Sequence, residues 1–121
     1  MGCFAVAGIQ LDLRGEDNLV RIATEVAAAK RRLPWLDMIM LPELCAYGPK
    51  TAHAEAPGGR AETAFRQIAR DNQIWLMPGS IFQIVDGKTR NCASGNHTSG
   101  TTVKNYRKMF PFRPYEEGVA S

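Results

Sequence analysis

Cysteine is scarce in this chain: 3 of 121 residues, Cys3, Cys45 and Cys92, an odd number with no C-x-x-C pair. Their long separations fit neither a zinc site nor a disulfide scaffold, so no metal is expected, and the cytoplasm is the expected compartment. Long hydrophobic runs are missing too. The longest uncharged apolar-leaning stretch, Asn72 to Val85, falls short of the ~18 residues that a spanning helix needs, and Pro78, Gly79 and Ser80 interrupt it. Met1 to Leu11 has no basic start, so it is not read as a signal peptide, and no membrane partner is expected. Neither sign of charge dominates: 15 Lys+Arg against 12 Asp+Glu leave +3, too little to demand a polyanion. The 2 histidines, His53 and His97, stand alone in loop sequence, where a solvated ring is the ordinary reading.

What remains is ordinary globular material, 45% apolar and 22% charged. The length suits one domain, residues 1–121, with a single core. Phe4 to Leu11 is apolar at nearly every position and predicts a parallel strand covered on both faces. Gly15 to Asn18 offers capping side chains, and Leu19, Ile22, Ala23, Val26, Ala27 and Leu33 recur at helical spacing, which predicts a helix from about Glu16 to Leu33. Lys30-Arg31-Arg32 falls in its last turn, where cations suit the negative end of the dipole.

Met38 to Leu41 reads as a second parallel strand closed by Pro42, and Glu43 to Gly59 as a long functional loop. A second helix is expected over about Arg60 to Asn72. Ile74 to Met77 and Ser80 to Val85 form a third apolar segment, ended by the Asp86-Gly87 hairpin signal. Arg90 to Ser94 and Thr101 to Arg107 read as two further strands, so a βαβαβ half passes into a meander of about five strands in all. From Lys108 onward no period is visible, and Val119-Ala120-Ser121 is expected to end in the open.

Several motifs dissolve on inspection. Gly95 to Thr102 has the two-glycine spacing of a phosphate loop, but Thr101 stands where the lysine belongs, and Gly48-Pro49-Lys50-Thr51 lacks the upstream glycine. Asn96-His97-Thr98 fits a glycosylation sequon but reads as a polar turn. Lys104, Arg107, Lys108 and Arg113 interleave with Tyr106, Phe110, Phe112 and Tyr115, the look of a single-strand-binding surface. Glu116 and Glu117 follow at once, and nothing else in the chain extends a basic stripe, so no nucleic-acid partner is expected.

Glu43 is the sharpest residue. It lies just past a buried strand, where open α/β sheets place their ligands, and burial under Leu41, Leu44 and Tyr47 would poise it as a base. Ile39-Met40-Leu41-Pro42-Glu43 resembles the apolar-Pro-Glu motif of the nitrilase, or carbon–nitrogen hydrolase, superfamily. Tyr106-Arg107-Lys108-Met109-Phe110-Pro111 is similar to that family's lysine motif, and Pro114-Tyr115-Glu116-Glu117-Gly118 to the segment bearing its second glutamate. The opening strand, with Gln10, matches the family's usual start.

The resemblance implies an α/β fold, the first half of an α-β-β-α sandwich, and hydrolysis of a small amide, carbamoyl compound or nitrile without any cofactor. It implies Glu43 as general base, Lys108 as stabiliser of the oxyanion, and Glu116 as the residue that holds Lys108, with Glu117 the other candidate for that part. It also implies a homo-oligomer. In the family the nucleophilic cysteine follows the second glutamate in a further strand-turn motif, which this sequence does not reach. The chain is therefore expected to be the amino-terminal part of such an enzyme, inactive alone. Cys45 is rejected as a substitute because the family pattern has no nucleophile at that position, and Cys3 and Cys92 read as small core residues. A non-catalytic dimerising remnant and the basic-aromatic binding module are the alternatives.

Overall fold

The computed structural model describes residues 2–121. Its elements are β1 (Val6–Gly8), α1 (Leu19–Arg32), β2 (Met38–Met40), a 3-10 turn at Thr51–His53, α2 (Arg60–Asn72), β3 (Trp75–Met77), β4 (Ser80–Val85), β5 (Lys88–Asn96) and β6 (Thr102–Arg107). They make one mixed six-stranded sheet with the order β1-β2-β3-β5-β4 and β6 paired to β5. The first three strands are parallel and the rest antiparallel. This is an α/β architecture of one sheet and two helices, as expected for half of a sandwich.

Six strands rather than five arise because Pro78-Gly79 splits the third apolar segment. β3 and β4 run one after the other along β5, Leu76 opposite Asn96 and Ser80 opposite Ala93. The Asp86-Gly87 turn takes positive φ at both residues, 53° and 70°, which matches the right-handed twist of the hairpin strands.

Both helices bury their apolar stripes on one face of the sheet. Leu19, Ile22 and Val26 of α1 and Ala61, Phe65, Ile68 and Ala69 of α2 form the core with Ile39, Leu76 and Ile74. Helix α1 begins three residues later than its composition suggests. The Asp17 carboxylate accepts the Leu19 N–H, and the Asn18 amide is spent on the Arg14 and Glu16 carbonyls. The basic triplet lies in its last turn as expected.

The opposite face is uncovered. The register places Val6, Met38 and Trp75 in one row and Gly8, Met40 and Met77 in the next, and Val6 and Met40 are about half exposed. Strand β1 is thus covered by the helices on one side only, not on both. Two further expectations are corrected. Cys3 is exposed rather than in the core. Val119 is buried against Leu44 and Phe82 instead of lying open, with the Ala120 N–H donating to the Thr89 carbonyl. Among the described residues, no helix is long and apolar enough to cross a membrane.

Candidate active site

Three segments converge beside β5. The first is the turn after β2. Pro42 ends the strand, and Leu44 takes a left-handed φ of 56°, an uncommon conformation for a bulky residue. The Leu44 N–H donates to Ser80 Oγ, and its side chain is buried. Gly79 presses so closely on this turn that a Cβ there would sit 2.1 Å from the Pro42 carbonyl oxygen. The wedge turns Leu44, Cys45 and Ala46 inward and leaves Glu43 on the outside.

Glu43 is consequently not buried beneath Leu41, Leu44 and Tyr47. Its side chain is 54% exposed, and polar partners hold it instead of apolar cover. Lys108 follows directly on β6, and its N–H donates to the Asn91 carbonyl, extending the β5–β6 ladder by one bond. Its Nζ donates to Glu43 Oε1 at 2.8 Å and to Glu116 Oε2 at 2.7 Å. The third segment is the turn from Phe112 to Glu116, which brings the Glu116 carboxylate inside, 2% exposed. Of the two adjacent glutamates, Glu116 makes the contact, while Glu117 is exposed.

Burial alone would push the Glu116 carboxyl up, but the Lys108 ammonium, the Asn91 amide and the Phe112 N–H outweigh it and hold it below the usual range. Glu116 and then Glu43 raise Lys108 above the ordinary lysine value, so it is a permanent cation at neutral pH.

Asn91 was not found by sequence reasoning. It is 1% exposed on β5, and its Nδ2 donates to Glu43 Oε1 at 2.9 Å and Glu116 Oε1 at 2.6 Å. Its one sequence signal is a carboxamide beside Cys92 and Ala93, the only apolar side chains of an otherwise polar strand. Together, Glu43, Asn91, Glu116 and Lys108 close a ring of four hydrogen bonds. Glu43 Oε1 takes two of these bonds, and Oε2 takes none from the described residues.

The ring lies at a cleft of about 260 Å³ that Glu43, Asn91 and Lys108 line together with Ser80, Ala93 and Tyr106. No cysteine lines it. Cys45 is fully buried with Sγ donating to the Pro78 carbonyl, and burial pushes its thiol up to about 12. Cys92 is buried in the next position of β5, and burial pushes its thiol up as well. His53 stacks on Tyr47 and His97 meets Trp75 edge-on. Among the described residues, no group of three or more His, Cys, Asp or Glu is placed to hold a metal ion.

A model of the carbon-nitrogen hydrolase family matches residues 4–120. Among solved structures, Nit3 of Saccharomyces cerevisiae, a member of branch 10 of the nitrilase superfamily, superposes with a TM-score of 0.84 at 22% identity, over 97% of this chain and 48% of that one. A carbon-nitrogen hydrolase from Helicobacter pylori G27 gives 0.81 at 22% identity, over 98% and 44%. A Glu→Gln mutant of the amidase from Nesterenkonia sp. AN1, showing Michael addition of acrylamide at its active site cysteine, gives 0.81 at 23% identity, over 98% and 49%. The chain spans about half the length of these structures. A search of curated protein sequences found no match.

Proposed function

The chain belongs to the carbon–nitrogen hydrolase family, and from that premise we propose that residues 1–121 are the amino-terminal part of one hydrolase domain, supplying the base, the cation and the positioning carboxylate for cleavage of small non-peptide amides, carbamoyl compounds or nitriles. The observation that carries this is one ammonium held between two carboxylates at the edge of a small cleft. A fixed cation beside an accessible carboxylate is what covalent acyl transfer needs. The cleft size supports a small substrate.

In this reading a cysteine beyond the three in this chain is the nucleophile. With an amide or carbamoyl substrate, Glu43 takes the thiol proton, a C–S bond forms at the carbonyl carbon as its π bond opens, and Lys108 faces the negative charge that develops on the oxygen. Ammonia leaves with the proton returned by Glu43. Water, deprotonated by Glu43 in turn, attacks the thioester, releasing the acid and restoring the thiol. No metal or organic cofactor takes part.

Ammonia release from acetamide, propionamide, N-carbamoyl compounds and aliphatic nitriles tests this. This chain alone is expected to release none. A protein in which the chain continues through a cysteine-bearing strand-turn segment is expected to turn over at least one class, and Glu43→Gln to lower its kcat by a factor of about 10² or more. Full activity of Glu43→Gln would overturn the assignment of the base, and turnover by this chain abolished by Cys45→Ser would overturn the place given to the nucleophile.

The uncovered sheet face supports self-association, since Val6, Met40 and Val103 expose apolar surface, as Phe110 and Phe112 do. Sedimentation of this chain is expected to show oligomers or aggregates, reduced by the pair Val6→Thr and Met40→Thr. A monodisperse monomer with a sharp thermal transition would refute it.

A further inference from the structure

We propose that Asn91 is a positioning residue that selects which oxygen of Glu43 accepts the proton; this rests on the reading of Glu43 as the base. The carboxamide nitrogen has two hydrogens, and both are spent on carboxylates, one on Glu43 Oε1 and one on Glu116 Oε1. With Lys108 also on Glu43 Oε1, that oxygen is occupied by two donors, one of them charged. Oε2 accepts from none of the described residues, so the reactive lone pair is on Oε2.

The orientation of the amide is determined by its surroundings. A flipped side chain would aim Oδ1 at two carboxylates, so electrostatics fix Nδ2 toward them. The consequence is visible on the other side of the group, where Oδ1 is buried without a partner among the described residues. An orphaned buried acceptor costs stability. A side chain retained only for packing would be better replaced by an apolar one, so the orphan points to a role for Nδ2 in the carboxylate ring. Asn91 also receives the Lys108 N–H on its backbone carbonyl, so one residue sets the height of the cation and the direction of the base.

Crystal structures of this chain with Asn91→Leu and Asn91→Asp test the placement. The first keeps the branching and heavy-atom count, at a larger volume, and removes both donors; the second keeps the shape and adds a repelling carboxylate. In both, the Lys108–Glu116 contact is expected to persist while the Glu43 carboxylate swings away by more than the ~0.5 Å that a site tolerates. In the protein continued through the cysteine-bearing segment, Asn91→Leu is expected to lower kcat by about 10- to 100-fold with KM within about twofold. Should Asn91→Leu not fold, Asn91→Ser carries the same measurements. A Glu43 carboxylate unmoved in both variants, or a kcat within about twofold of the parent, overturns the proposal. Failure of the base assignment reads out separately, as activity retained by Glu43→Gln.

Discussion

Gly79→Ala is expected to destabilise the chain by about 3 kcal/mol, the sum of a left-handed backbone penalty and an overpacked contact, and to break the contact between Glu43 and Lys108. Gly79 sits at φ +75°, where an L side chain is strained whatever the space. The space is also absent. The new Cβ would lie 2.1 Å from the Pro42 carbonyl oxygen, 2.6 Å from its carbon and 3.0 Å from the Glu43 nitrogen, all backbone atoms that no rotamer change can move. The strand end that presents Glu43 has to retreat, and with it the carboxylate that meets Nζ at 2.8 Å. Urea unfolding gives the first quantity and a crystal structure the second. A variant as stable as the parent with the ring intact would show that the turn yields elsewhere.

Lys108→Met is expected to cost about 2–4 kcal/mol at neutral pH, because it strands the Glu116 carboxylate, 2% exposed, with only neutral donors. The sign of the pH dependence follows from the two shifts. Glu116 is held below its ordinary value, so its stabilising contribution is complete above the unfolded carboxyl pKa, ~4.3, and is lost as pH falls through its lower folded value. Lys108 is raised, so its contribution is complete below ~10.4 and is lost as pH rises through its higher folded value. The difference between variant and parent is therefore widest between these limits and narrows at pH 3. Glu116→Gln combined with Lys108→Met is expected to cost less than the two changes summed, since removal of both charges leaves none stranded. A pH-independent difference would show that Lys108 acts by packing alone.

Where local chemistry decides the backbone, the sequence was readable. Helix α2 spans Arg60–Asn72 as its apolar spacing predicts, and Asp86-Gly87 makes the turn its residue types favour. Misreadings arose where a distant segment decides. The long apolar run from Phe4 yields only the three paired residues of β1, because its neighbour β2 is itself three residues long. Val119 has no periodic company, yet Leu44 and Phe82, some 75 and 37 positions earlier, make a pocket for it. Glu43 was expected under apolar cover, but the positive φ of Leu44 sends that cover to the other side of the chain. The motif residues Lys108 and Glu116 could be named in advance because family patterns mark them. Asn91 could not, because a single amide on a strand reveals its role only when two carboxylates from other segments arrive beside it.

Strand β6 is exposed along nearly its whole length and pairs only with β5, so it has little apolar contact to resist opening. Local opening of this kind has a low free energy, and the β6 amides are expected to exchange with solvent before those of the strands beneath α1 and α2. Lys108 is the next residue after this strand. The cation therefore follows directly on an exposed edge strand, and the Asn91–Glu116 clamp works against its fraying. The fraction of molecules with the ring closed is an equilibrium quantity, and apparent affinity for any ligand of the cleft scales with that fraction. Anything that covered the outer side of β6 would thus raise the occupancy of the closed ring without touching it.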